Sequence, residues 1–317
     1  MRKGSVFLAP RPTVWLDMDP GIDDSWAIAV ALSRCSVQGI STVAGNVALE
    51  HTFQNTHDVL QVLNHSEIPV FPGADGPLLE PLITAKAFHG EQGLGDYVAD
   101  ASHIPAILAD TPRVWSRWAQ HSTGVSDTHL IATGPLTNLA IGFLAFPELR
   151  SAWKSITAMC GALPGTEMDK AKEFNVYVDP HAADVVFRYG ARVQMLGINV
   201  AHKALVPIRD LSLLPQYGKT GRMLAKMLNF YTIEARGEGG NPDAFPIDDV
   251  VAVAAVSYPE IFQWRELPLT VVREGPLRGT VVISPIDVQR PAVKVALDIE
   301  VPEFLAWLWE SMETYRA

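Results

Sequence analysis

The sequence predicts an α/β fold: a mostly parallel central sheet with helices on both faces. Three observations lead there. Apolar runs of strand length recur along the chain, longer segments of helical pattern alternate with them, and several runs end in a glycine-containing turn. Near-continuous apolar strands belong to parallel sheets, because crossover helices bury both of their faces.

In chain order, "TVWLDM" at 13–18 is the first strand and 23–34 the first helix. Pro20 keeps Asp19 extended, and Asp23 and Asp24 then occupy a first turn, where the helix dipole favours anions. "VQGISTV" at 37–43 is the second strand, followed by the turn "AGN" and a helix over 52–64. The stretch 72–97, with "PGADGPLLEP" and "FHGEQGLGDY", is irregular, and long loops of that kind tend to be functional. A strand at 129–133 ends in "TGP" and leads into a helix over 135–146. Strands at 155–160 and 193–198 end in "CGA" and "LGIN", with a helix over 180–189 between them. A helix over 221–235 runs into "EARGEGGNPDAFP", read as a mobile loop before the apolar run "VVAVAAV". "LRGTVVISP" and "KVALDIEVPEFLAWLWESM" read as a hairpin followed by a packed C-terminal helix. Ligands in open α/β sheets bind outside the carboxyl ends of strands, so the glycine turns should line one cleft.

Bulk properties narrow the function classes. Residues 1–317 read as a single domain, a size at which large α/β folds are often undivided. A net charge of -10 argues against nucleic acid or an anionic membrane as partner. Only two cysteines occur, Cys35 and Cys160, so a disulfide framework is not expected and a reducing, cytoplasmic setting fits. No apolar run reaches membrane-spanning length, and the first residues lack a signal-peptide core.

"LDMDPGIDDSWAI" crowds Asp17, Asp19, Asp23 and Asp24 where the core begins. Two carboxylates about 4 Å apart repel by roughly 4 kcal/mol at an effective dielectric of 20, and burial adds to this. An EF-hand does not fit, since Ile22 and Ile28 stand where its glycine and glutamate belong. An aspartyl-nucleophile phosphatase does not fit either, because Pro20 and Gly21 follow the "DMD". Helix-dipole preference accounts for one or two aspartates but not four. A bound cation is the simplest candidate to offset the repulsion. None of the nine histidines has zinc-ligand spacing, and oxygen donors in such numbers favour Ca²⁺.

This segment resembles the N-terminal signature of the inosine–uridine nucleoside hydrolases, D-x-D-P-G-x-D-D-x-x-A-I. The resemblance continues in register through "VAGN" (43–46), "HGEQGLG" (89–95), "ATGPLTNLA" (132–140), "EFNVYVDPHAADVVF" (173–187), "DDVVAVAAVSYP" (248–259) and "LRGTVV" (277–282). It implies the Rossmann-like fold of that family and Ca²⁺-dependent hydrolysis of ribonucleosides to ribose and free base. Asp19, Asp24, Asp249 and the backbone carbonyl of Thr133 are then the metal ligands, and Asp23 the general base on the attacking water. Asn46, Glu173 and Asn175 match residues that hold the ribose hydroxyls, with Met159 and Phe174 near the sugar. Asp17 is implied to support the ligands rather than join them. A homodimer or homotetramer is usual in the family.

Three departures bear on the base and the 5′-hydroxyl. Asp248 stands where many members carry histidine, Glu167 where many carry asparagine, and Ala87 where base-tolerant members often carry histidine. Base preference therefore does not transfer. Asp248 is either an acid of raised pKa beside Asp249 or, as nearby Ca²⁺ favours, an ionised group that orients substrate or a loop residue, leaving solvent, or packing by a residue such as Tyr231 or Phe245, to assist the leaving base. The competing readings are a non-catalytic nucleoside- or ribose-binding protein on the same scaffold, and a hydrolase of a modified ribosyl compound. Asp23 speaks against the first, since binding alone needs no spare base.

Overall fold

The computed structural model describes residues 11–99, 108, 111–121, 126–163, 172–235, 243–284 and 290–316. The chain begins with β1 (Thr13–Met18), α1 (Ile22–Arg34), β2 (Ser36–Thr42), α2 (Leu49–Leu63) and β3 (Val70–Pro72). After the short α3 (Lys86–His89) and α4 (Val114–His121) it returns to the other side of β1 as β4 (His129–Ala132). Next come α5 (Thr137–Ala145), α6 (Leu149–Ala152), β5 (Ser155–Met159), α7 (Phe174–Val178), α8 (Pro180–Tyr189) and β6 (Val193–Leu196). The remainder holds α9 (Ile198–Ala201), β7 (Val206–Pro207), α10 (Gly218–Ala235), β8 (Ala244–Phe245) and α11 (Asp248–Ser257). It closes with β9 (Phe262–Leu267), β10 (Leu269–Val271), β11 (Val281–Ile283), β12 (Val293–Ile299) and α12 (Val301–Met312).

Eight strands form the central sheet in the order β3-β2-β1-β4-β5-β6-β12-β9. Every neighbouring pair is parallel except β12 with β9, which is antiparallel. The expected α/β class and mostly parallel sheet are therefore what the chain adopts. Side chains alternate across β1, as a pleated strand requires. Val14, Leu16 and Met18 face a core shared with α1, α10, α11 and α12, while Trp15 faces the core beneath α4, α5 and α8. Both faces are covered, so β1 is apolar on both sides.

Two expectations change. Residues 277–285 and 293–299 do not pair as a hairpin. β11 pairs with β10, and β12 enters the central sheet between β6 and β9. Val293, Val295 and Ala296 are buried, so β12 is an interior strand, whereas "FQWREL" in β9 keeps the charged, half-exposed pattern of an edge. The apolar run "VVAVAAV" is helix α11, apolar around its circumference because it packs between α1 and the ends of β4 and β5. Most of the glycine-rich segment 234–246 lies outside the described residues.

Candidate active site

The strand order reverses at β1. The chain steps outward through β2 and β3, then comes back to start β4 on the opposite side. At such a switch point the loops after the two strands diverge and leave a crevice at their carboxyl ends. The loop after β1 carries Asp19, and the residue after β4 is Thr133. The loop after β2 brings Asn46, and α11 presents Asp249 in its first turn.

Local chemistry fixes each carboxylate. Asp19 Oδ2 accepts the Asn46 N–H at 2.7 Å. Gly45 and Gly134 close around this carboxylate, and a Cβ at Gly134 would lie 2.9 Å from Asp19 Oδ1. Asp24 turns back over the start of α1: Oδ2 accepts the Gly21 N–H at 3.0 Å and Asn46 Nδ2 at 3.1 Å, and Oδ1 accepts the Thr133 hydroxyl at 2.7 Å. Asp17 points to the other face of β1, where the Ser41 hydroxyl and Asn138 Nδ2 donate to Oδ1 and Oδ2 is left without a partner. Burial pushes its pKa up to about 7.

Oxygen atoms of Asp23, Asp24 and Asp249 all lie within 4.8 Å of one another, with the Asp19 carboxylate as their charged neighbour. Burial first, and then mutual repulsion, raises Asp19, Asp23 and Asp249 well above the ordinary carboxylate range. The neighbours that shift them are other carboxylates, not cations. Four buried acids arranged this way are a poor packing solution and a good seat for a hard cation, which prefers oxygen donors. The donor set fits a metal.

The wall beyond the carboxylates is built from backbone as much as from side chains. Glu173 caps α7, its carboxylate accepting the Asn175 N–H at 2.7 Å, the Val176 N–H at 3.0 Å and the Gly161 N–H at 2.7 Å. Burial nevertheless raises its pKa to about 7. Asn175 Nδ2 donates to the carbonyls of Thr133 at 2.6 Å and Met159 at 3.0 Å, which ties α7 to the ends of β4 and β5. The resulting cleft encloses about 320 Å³, within the range of small-molecule sites, roughly 300–1,000 Å³.

Of the residues singled out in the sequence, Asp19, Asp23, Asn46, Thr133 and Asp249 line this cleft. So do Met159, Glu173, Phe174, Asn175 and Asp248. Asp24 lies beneath them, fully buried. Glu167 falls outside the described residues; Tyr231 sits on α10, with its side chain outside them. Phe245 is a correction. It is fully buried in the core on the α1 side, packed with the helices of that face, and does not line the cleft.

Two histidines join the wall. His89 is buried and its Nδ1 accepts the Ile22 N–H at 3.1 Å, capping α1 from the "HGEQGLG" loop. His202 follows α9 and places Nε2 3.4 Å from Asp248 Oδ2. Sequence spacing offered no sign of that pair, since 46 residues separate its members; only the "LGIN" turn just before α9 pointed to this end of β6.

The pattern of the inosine-uridine preferring nucleoside hydrolases matches residues 14–306. The chain belongs to this family. As a nucleoside hydrolase it is an N-glycosidase, as the resemblance implied. The pyrimidine-specific ribonucleoside hydrolase RihA of Klebsiella pneumoniae is 32% identical over 309 residues, covering 95% of this chain and 98% of the relative. The non-specific ribonucleoside hydrolase RihC of Salmonella newport is 35% identical over 300 residues, covering 93% of this chain and 95% of the relative. Among solved structures, a purine-preferring ribonucleoside hydrolase from Gardnerella vaginalis superimposes with a TM-score of 0.88 at 26% identity, covering 96% of this chain and 99% of its own. By their names these nucleoside hydrolases differ in base preference: pyrimidine-specific, non-specific and purine-preferring.

Proposed function

We propose that this chain hydrolyses ribonucleosides to ribose and free nucleobase with Ca²⁺ as cofactor. The observation that carries this reading is the buried carboxylate group at the switch point, with Asp23 both inside it and open to the cleft. Asp19, Asp24, Asp249 and the carbonyl of Thr133 hold the ion; that carbonyl has a second lone pair beside the one taken by Asn175. When bound, the ion polarises the attacking water and the ribose hydroxyls. Asp23 takes the proton from that water as it adds to C1′, a step worth about 10²- to 10⁴-fold. Asn46, Glu173 and Asn175 orient the ribose, and Glu173 is pre-set by its three N–H contacts, so little reorganisation accompanies binding. Met159 and Phe174 pack against the sugar.

Nucleosides are the substrate class rather than nucleotides. Asp19, Asp23, Asp248, Asp249 and Glu173 line the cleft, and a 5′-phosphate would meet like charge, with Glu167 placed by the resemblance near the 5′-hydroxyl. We further propose a cytoplasmic homodimer or homotetramer. Both cysteines are free and buried, and among the described residues no helix is long and apolar enough to cross a membrane. A panel of purine and pyrimidine nucleosides and their 5′-monophosphates, assayed for reducing-sugar release with and without chelator, tests the reading. Chelator-sensitive release from nucleosides is expected. Full turnover by protein shown to be metal-free, or equal turnover of the monophosphates, would overturn it.

A further inference from the structure

Hydrolysis of an N-glycosidic bond needs an acid as well as a base, because a nucleobase leaves poorly as an anion. The position at which many family members carry histidine is Asp248 here. The cleft holds a replacement. His202 comes from the far end of β6 and stands 3.4 Å from Asp248, at the front of α11. We propose that His202, held in place by Asp248, is the acid that protonates the departing nucleobase. This rests on the hydrolase reading above.

Exposure places the pair where the base must lie. The carboxylates on the floor are at most 7% exposed, whereas the His202 side chain is 39% exposed and that of Asp248 17%. A ribose on the floor therefore directs its base outward, toward His202. The other proton-bearing groups of the cleft are unsuited. His89 Nδ1 is occupied by the Ile22 N–H, and burial pushes its pKa down to about 4, so it is a neutral imidazole near pH 7. Glu173 is an acceptor for three backbone N–H groups. Lys172 Nζ lies 4.9 Å from the centre of the Tyr177 ring. Among the described histidines of the cleft, His202 is the one with a carboxylate partner that favours its protonated form; Asp248 lifts it above the ordinary imidazole value, with Glu173 adding to the effect. The protonated ring carries two N–H groups: Nε2 faces Asp248 at 3.4 Å, which leaves the Nδ1 N–H for the departing base. Hydrogen bonds of this kind often tighten only with substrate in place.

The proton balance closes. The C1′–N bond breaks and its electron pair leaves with the base, whose ring nitrogen takes the Nδ1 proton of the His202 imidazolium. The water oxygen bonds to C1′ and gives its proton to Asp23. Exchange with solvent then returns a proton to His202 and removes one from Asp23, for a net consumption of one water.

The test uses two leaving groups. A nucleoside such as uridine or inosine needs protonation of its base; p-nitrophenyl β-D-riboside releases a phenolate that does not. In His202→Gln, kcat on the nucleoside should fall at least ~10²-fold, the usual worth of an acid. That fall should exceed the fall on the nitrophenyl riboside by at least ~10-fold. Asp248→Asn is expected to shift the same ratio in the same direction by less, because it weakens the acid without removing it. It also serves if His202→Gln fails to fold, which its melting curve reports. Equal losses on both substrates in a folded variant, or no loss on the nucleoside, would overturn the assignment. A wild-type protein that cleaves neither substrate would instead sink the hydrolase reading itself.

Discussion

At the residue scale, Asp23 and Asp24 are adjacent in sequence and take different positions. They stand about 100° apart around the axis of α1, and the hydrogen bonds realise that divergence. Asp24 is folded under, fixed by Gly21, Asn46 and Thr133, while Asp23 opens to the cleft. Asp24→Ala should therefore lose metal and activity together, which calcium titration by calorimetry alongside an activity assay would show. Asp23→Asn should reduce turnover at least ~10²-fold while still binding Ca²⁺. Because Asp23 lies within 4.8 Å of Asp24 and Asp249, the same titration separates a base from a ligand: lost Ca²⁺ affinity in Asp23→Asn would make it a ligand. These residues were legible in sequence because the motif is local. His202 was not, since its partner lies 46 positions away and its meaning exists only once β6 and α11 are side by side. Phe245 was misjudged for the same reason, as no local signal says which way a side chain in a two-residue strand will face.

At the element scale, sequence periodicity served best where each element buries a face by local pattern. The strands β1, β2, β4, β5 and β6 and the helices α1, α2, α5, α8 and α10 fall within a few residues of their expected positions, while β3 and the helices α3, α4, α6, α7 and α9 have no expected counterpart. It served least where pairing is long-range. β12 could have closed a hairpin with β11, but its apolar length suits an interior position beside β6, and the charged β9 supplies the antiparallel edge. The short β10–β11 ribbon is instead fastened to α8. Asp184 on α8 accepts Arg290 Nη1 at 2.8 Å and the Thr270 hydroxyl at 3.0 Å, with Arg273 Nη1 at 3.7 Å. The Arg290 contacts hold the Asp184 carboxyl below its ordinary value although burial opposes this. Arg290→Ala leaves the Asp184 carboxylate to the Thr270 hydroxyl, the Val271 N–H and the more exposed Arg273, and should cost roughly 2 kcal/mol at pH 7, read from urea denaturation midpoints. A carboxylate with a depressed folded pKa stabilises above its unfolded pKa, 3.8, and that contribution is lost as pH falls through the folded value. The gap between wild type and Arg290→Ala should accordingly narrow below about pH 4, and a gap independent of pH would show that the pair acts through packing alone.

At the scale of the whole molecule, the parts that chemistry needs are the parts that folding tolerates least. α1 and α11 pack against each other in the centre of the larger core, and their first turns carry Asp23, Asp24, Asp248 and Asp249. Bringing those helices together brings the acids together. Without a cation, the carboxylates of Asp19, Asp23 and Asp249 have folded pKa values well above 3.8, and Asp17 and Glu173 reach about 7. A raised folded pKa gives stability that is complete below the unfolded value and is lost as pH rises through the folded one. Metal-free protein should therefore melt at progressively lower temperature as pH rises from about 4 through about 7 and beyond. If the proposed Ca²⁺ binds, it opposes this, because a ligand bound only by the folded state adds about 2.7 kcal/mol at a hundred times its Kd. It also competes with protons for the same oxygens, so its stabilisation should grow with pH. Thermal melts across pH 4 to 8, with saturating Ca²⁺ and with excess chelator, would thus give two curves that separate as pH increases. Curves that run parallel would mean that the acids are not the seat of the ion, and that the repulsion between α1 and α11 is relieved in another way.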